Sequence, residues 1–426
     1  MIKLGIASAA AVLLAGVSAV TAAEITISCG KVGLQGHLCE EAIKAWEVET
    51  GHKVTLHEPP TQSDHRYKEY LELLKQGDAG IDVLQVDVIW PTLLAEYLID
   101  LSGFMKEKQV DKHIPALIEN NTVDGRLVAM PWYTGTGLLY YRTDLLAKHG
   151  ARVPETWEEL AETALKIQTA EREAGDQGRE EIWGYVFQGE AYEGLTSNAL
   201  EWIASSGGGS FVEPDGTITA NNPRAVRAIE RAASWVGRIS PPRSTIFREE
   251  DARLTFVRGD AVFMRNWPYA WNLLDADPNS PVAGKVGVAP LPKGADKGSP
   301  AATLGGWQLA VSKFSEHPNV AASLVRYLTS DEMQKRRAIE GSYAPTIMSL
   351  YRDPEVLRAS PVFAVLPAIL ETAVVRPANW TGGSYQKVSY QIWEHIHGAL
   401  QGKFTAERAM VSIETDLQKI KLDDGW

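Results

Sequence analysis

Four side chains stand where the surrounding sequence does not obviously satisfy them. Asp87 lies in the apolar run 81–88, near its carboxyl end, where an unpaired buried carboxylate is costly. Trp267 shares one short Pro-containing segment with Tyr269 and Trp271, so the three do not all belong to one regular buried helix face. Trp307 follows Gly305 and Gly306, and glycines let a backbone approach another molecule closely. Arg376 precedes Pro377 after the apolar stretch 373–375, and its planar fork can hold two neighbouring hydroxyls or one carboxylate. Such a set suits a molecule rich in hydroxyls with C–H faces between them. Polar groups pair the hydroxyls, and aromatic rings cover the faces. A hydroxyl left unpaired in a closed site costs roughly 1–3 kcal/mol, so the polar groups set selectivity while the rings supply area. Each residue also has a plainer reading. Asp87 can be satisfied by backbone or a helix N-terminus, a Trp by core packing (the reading kept for Trp271), and Arg376 by an ion pair near the C-terminus. Asp82 begins its strand and reads as structural.

Other residues join the set by position. Tyr133 lies in 131–137, where Pro, Gly and aromatics alternate as in a bend lining a cleft. Gln35 and His37 sit in the Gly-bearing loop 31–38, and each both donates and accepts. Thr61 and Ser63 follow Pro59 and Pro60 and offer hydroxyls. Asn266, Tyr192 and Glu193 complete the candidates. No GxxxxGK[ST] phosphate loop and no His/Cys cluster at metal-ligand spacing occur, so neither a cofactor nor a metal is expected.

The elements that must position these residues follow an α/β pattern. Strand 24–29, helix 39–50, strand 53–57, helix 63–76 and strand 81–88 alternate as in a parallel sheet. Strand 138–142 then opens a second α/β section, with helices near 155–174, 193–206, 222–239 and 249–258. Segments 131–137 and 304–311 are candidate crossings between two lobes. A helix over 318–337 returns to the first lobe, and the C-terminal helices complete the second. The expected division is a first lobe of 24–131 completed by about 308–345, and a second of 132–307 completed by about 346–426. In such sheets ligands sit beyond the carboxyl ends of the strands.

The first residues set the compartment. Lys3, an apolar run from Leu4 to Val20, and the small residues Thr21, Ala22 and Ala23 match a cleaved secretory leader over 1–23. A membrane anchor of roughly 17–25 apolar residues is the alternative. Export to a periplasm is expected. The two cysteines, Cys29 and Cys39, can form a disulfide in that oxidising compartment. Free thiols or half of a metal site are the other readings. A net charge of −12 without a Lys/Arg-rich block argues against nucleic acid as a partner.

Seven ordered segments carry a resemblance: 81–90 (IDVLQVDVIW), 138–146 (LLYYRTDLL), 154–160 (PETWEEL), 188–195 (QGEAYEGL), 265–271 (RNWPYAW), 285–292 (KVGVAPLP) and 302–307 (ATLGGW). The chain resembles the solute-binding proteins of ATP-driven sugar importers, in the maltose-type group and especially its trehalose/maltose branch. The resemblance implies a two-lobed periplasmic binding protein of type II, with a hinge and an interlobe ligand cleft. It implies sugar contacts by Asp87 and Arg376, and stacking by Trp267 and Trp307. It also implies delivery of a small sugar, by a monomer, to two transmembrane permease subunits served by a separate ATPase. No enzymatic activity is expected. Two departures separate this chain from the branch. The loop 31–38 lacks an acidic residue, and Gly135 stands where relatives can carry an Asp. A disaccharide-sized glycoside is expected, with a modified or anionic one fitting fewer carboxylates. The rival readings are a periplasmic glycoside hydrolase using Asp87 and Glu193, and a chemoreceptor-coupled sugar sensor.

Overall fold

The computed structural model describes residues 22–175, 181–274, 278–294 and 298–426, so residues 1–21 of the expected leader lie outside the described residues. The strands in chain order are β1 Glu24–Ser28, β2 Lys53–His57, β3 Val83–Asp87, β4 Thr122–Val123, β5 Arg126–Leu127, β6 Met130–Thr136, β7 Leu138–Arg142, β8 Trp183–Val186, β9 Ala261–Asn266, β10 Val286–Ala289 and β11 Leu304–Val311. They form a five-stranded sheet of order β2-β1-β3-β11-β6, a four-stranded sheet of order β10-β7-β9-β8, and the small hairpin β4–β5. In the first sheet β1 runs parallel to β2 and β3, whereas β11 is antiparallel to both β3 and β6.

Every residue of β3 is buried, as a strand covered on both faces requires. The disulfide Cys29–Cys39 ties the end of β1 to helix α1 (Gln35–Thr50). That helix begins four residues earlier than its expected start at Cys39. Its buried residues Gln35, Leu38, Cys39, Ala42, Ile43 and Trp46 keep a three-to-four-residue spacing from the first turn, so the stripe extends into what reads as a loop. Helix α2 (Ser63–Lys75) follows β2 as expected.

Two expectations about element placement need correction. Segments 132–136 and 304–307, assigned to the second lobe, are hydrogen-bonded strands of the first sheet, where Leu304 pairs with Thr136 and Trp307 with Tyr133. Gly306 provides the close backbone approach within this pair, whereas Gly135 and Gly305 make room for the Pro268 and Trp267 side chains. The chain passes between sheets at Gly137, inside the candidate crossing 131–137, and returns between β10 and β11, just before 304–311. The helix expected over 318–337 is also two helices, Pro318–Leu328 and Asp331–Gly341. Ser330 restarts the second by accepting from the Met333 amide.

Two large cores lie under the two sheets. Ile25, Ile27, Val83 and Leu309 of the first sheet pack with Ala321, Leu324 and Val325 of the returning helix. Under the second sheet, Trp157, Tyr185, Phe187, Trp202 and Trp235 pack as edge-on and tilted rings. Phe363, Leu366, Val388 and Ile392 of the C-terminal helices join that second core. Among the described residues no helix is long and apolar enough to cross a membrane.

Candidate functional site

Strand register builds one wall of a cleft between the sheets. Trp307 on β11 stands opposite Asp87 at the carboxyl end of β3 and opposite Tyr133 on β6, so the three share one row. The backbone is pinned here by the Val88 amide, which donates to the Gly306 carbonyl at 3.0 Å. Gly306 sits at φ +133°, and an added Cβ would lie 2.5 Å from the Tyr133 carbonyl oxygen, so this position requires glycine. The Trp307 ring is partly exposed and packs edge-on against Trp90 at 5.5 Å, with the Arg66 guanidinium 4.5 Å from its centroid. Tyr133 is buried, and its hydroxyl accepts from Gln85 Nε2 at 3.2 Å. Burial raises its pKa well above the usual phenol range, so it stays a neutral donor and acceptor.

The facing wall comes from the second sheet. Trp267 follows β9, and Trp267 Nε1 donates to Glu249 at 3.3 Å. Its ring lies across Gly305, where an added Cβ would come within 2.7 Å of it. The Arg265 guanidinium, held by Glu201, lies 4.0 Å from the Trp267 centroid. Tyr192 is buried beneath Arg248, whose guanidinium sits 4.8 Å from its ring.

Arg376 joins the walls. Its Nη2 donates to Asp87 at 3.0 Å and its Nη1 to Glu193 at 2.8 Å, with Nε buried and without an acceptor among the described residues. Glu193 also accepts from Ser389 at 2.6 Å and from Tyr385. Burial disfavours the Arg376 cation, but Asp87 and Glu193 together hold it above the ordinary guanidinium range. Burial pushes the Glu193 carboxyl up, against the pull of Arg376, Ser389 and Tyr385.

The cleft encloses about 280 Å³, close to the lower end of the roughly 300–1,000 Å³ common for small-molecule sites. Of the residues singled out by sequence, Asp87, Tyr133, Tyr192, Trp267, Trp307 and Arg376 line it. Gln35, Thr61, Ser63, Gly305 and Gly306 do so too. His37 does not. It is exposed, because α1 starts at Gln35 and turns a residue two positions later to the opposite side. Trp271 packs against the second core instead, and Asp82 accepts from the Thr26 amide at 2.7 Å and from Ser315, a structural role. Asn266 is also structural, donating to the Glu249 carbonyl at 3.0 Å.

Sequence reasoning missed Arg66, Arg248, Glu249, Tyr269 and Tyr343, all of which line the cleft. The acids at 249–251 stand in the first turn of the helix Glu249–Val257 and Arg66 stands on α2, and neither was singled out. For Tyr343, its place after the helix Asp331–Gly341 offered no local signal. Gly135 now has a physical reason: a Cβ there would meet Pro268 Cδ and Cγ at 2.9 Å. Gly135→Asp is therefore expected to destabilise the fold by about 1–3 kcal/mol through overpacking. A urea midpoint equal to wild type would contradict that.

Comparisons with known proteins agree with this geometry. A family model described as bacterial extracellular solute-binding protein matches residues 38–335. A Deinococcus radiodurans protein called a probable ABC transporter-binding protein is 46% identical over 416 residues, covering 97% of each chain. The structure of maltose-bound T. maritima MalE3 superposes with a TM-score of 0.87 at 38% identity, covering 94% of this chain and all of that one. A Thermotoga lettingae solute-binding protein with bound α-D-tagatose gives a TM-score of 0.81 at 25% identity, over 94% of this chain and 100% of that chain. Two sheets facing across an Arg-bridged, Trp-lined cleft, a family match over most of the chain and a relative aligned along nearly all of it lead to one conclusion: the chain belongs to the bacterial extracellular solute-binding proteins.

Proposed function

We propose that the protein captures a disaccharide-sized glycoside in this cleft by closure of its two lobes and delivers it to the permease of an ABC importer. The observation that carries the reading is the row Tyr133–Trp307–Asp87 facing Trp267 and Arg376. Two indoles supply C–H-covering faces on opposite walls, and the bridged ions supply directional hydrogen bonds between them. The ligands bound in the solved relatives, maltose and α-D-tagatose, support a sugar. The D. radiodurans relative's name supports an ABC transporter as the destination. On this reading the chain is a periplasmic monomer, the leader is cleaved near Ala23, and a separate ATPase drives transport. The first lobe ends at Thr136, in keeping with sheet membership, and resumes with β11. A ligand hydroxyl then accepts from Arg376 Nε, the donor left over after Asp87 and Glu193 are served. Closure is favoured to the extent that the sugar binds the closed form more tightly than the open one.

A thermal-shift panel tests it. Maltose, trehalose, sucrose, their acidic derivatives and an amino-acid control are added to the mature protein. A cognate glycoside at a hundred times its Kd stabilises by about 2.7 kcal/mol. A rise in melting temperature with a glycoside and none with the amino acids is expected. The reverse pattern, or repeated cleavage of the sugar, would overturn the proposal.

A further inference from the structure

We infer that the glycoside carries a carboxylate, and that Arg66 is the residue that binds it. The inference rests on the glycoside reading above and narrows its substrate class. Arg66 lines the cleft and is 1% exposed, yet it has no carboxylate partner among the described residues. Its Nε donates to the Pro60 carbonyl at 3.1 Å, its guanidinium lies over Trp307, and Nη1 is buried without an acceptor. With Nε committed, the Nη1–Nη2 end remains, a geometry that matches the two oxygens of a carboxylate. Its neighbour at this end is an amide, which brings no charge: an added Cβ on Gly30 would lie 2.6 Å from Gln35 Oε1 and 2.9 Å from Arg66 Nη2.

The other arginines lining the cleft are already matched to carboxylates. Arg376 is held by Asp87 and Glu193, and Arg248 by Glu190. Glu249 accepts from Trp267, Glu250 from Tyr269 and Arg253, and Asp251 from the Arg248 amide. Arg66 alone among the lining arginines is left for the ligand to neutralise. Helix α2 adds to the same spot. Thr61, the N-cap Gln62 and Ser63 at its start line the cleft; no side chain caps its first amides, and Asp64 is the acidic residue of its first turn. The positive end of a helix favours an anion there. Burying a guanidinium without a counter-charge is costly, and a ligand carboxylate at the Nη1–Nη2 end of Arg66 would remove that cost.

Titration calorimetry on the mature protein decides the matter with matched pairs: maltose against maltobionate, and trehalose against its mono-uronic acid. In wild type at least one acid is expected to bind about tenfold or more tightly than its neutral partner. Arg66→Gln should abolish that preference. Gln35→Glu, which places a carboxylate beside Arg66 without removing any cation, should abolish or reverse it, and it serves if Arg66→Gln does not fold. Equal or tighter binding of the neutral sugars by wild type overturns the carboxylate and leaves the glycoside reading intact. A preference unchanged in both variants overturns the role of Arg66. Binding of neither member of either pair overturns both readings together.

Discussion

Arg376→Ala is expected to lower the stability of the protein by about 3–5 kcal/mol and to remove measurable glycoside binding. The side chain is 4% exposed and is the cation on which both Asp87 and Glu193 depend. Removing it leaves two carboxylates without their counter-ion, one on each wall of the cleft. Glu193 keeps Ser389 and Tyr385 as donors, whereas Asp87 keeps, among the described residues, only the Ile89 amide at 3.3 Å. The larger penalty therefore falls on Asp87, the carboxylate in the row with Trp307. Arg376→Lys retains the charge but not the fork, so it cannot reach both carboxylates in the same planar geometry. It should recover part of the stability and little of the binding. Urea denaturation and calorimetry read the two effects separately. An alanine variant with wild-type midpoint and affinity would mean that the bridge is incidental.

Trp267→Ala and Trp307→Ala form the second expectation. Each should weaken glycoside binding by about 2–4 kcal/mol, roughly 30- to 1,000-fold in Kd. The stability costs should differ between them. Trp267 covers Gly305 and donates to Glu249, so its loss opens the space that the glycine provides. Trp307 lies between Trp90 and Arg66, and its loss also strips the Arg66 guanidinium of its aromatic face. Trp307→Phe should keep much of the affinity, because a smaller ring still covers one sugar face. If both alanine variants bind as wild type, the ligand does not sit between these rings.

Much of this architecture is legible in the amino-acid sequence because its signals are local. The strands Lys53–His57 and Leu138–Arg142 have the bounds that their apolar patterns predict, and the helix expected near 155–174 forms at Trp157–Glu173, where Thr156 and Glu159 close a capping box. Asp87 stands out as a charge in an otherwise apolar strand, and Gly305–Gly306 as a place of close backbone approach. What is not legible is register. Nothing local in 131–137 or 304–311 shows that Trp307 faces both Asp87 and Tyr133, because pairing joins residues that are distant in sequence. The same limit hid that 131–136 and 304–311 pair as strands beside the points where the chain passes between the sheets. His37 failed for a smaller reason, the early start of α1, which separates two adjacent candidates onto opposite helix sides. Arg66 looks like any polar residue of an amphipathic helix, and only the packing of α2 against Trp307 gives it a role.

Calorimetric titration of the mature protein with the best sugar of the panel, followed by chromatography of the recovered ligand, tests the central claim most directly. One molecule bound per chain and returned intact is the expected result. Absence of saturable binding to any glycoside, or recovery of cleaved sugar in excess of the protein, would contradict it.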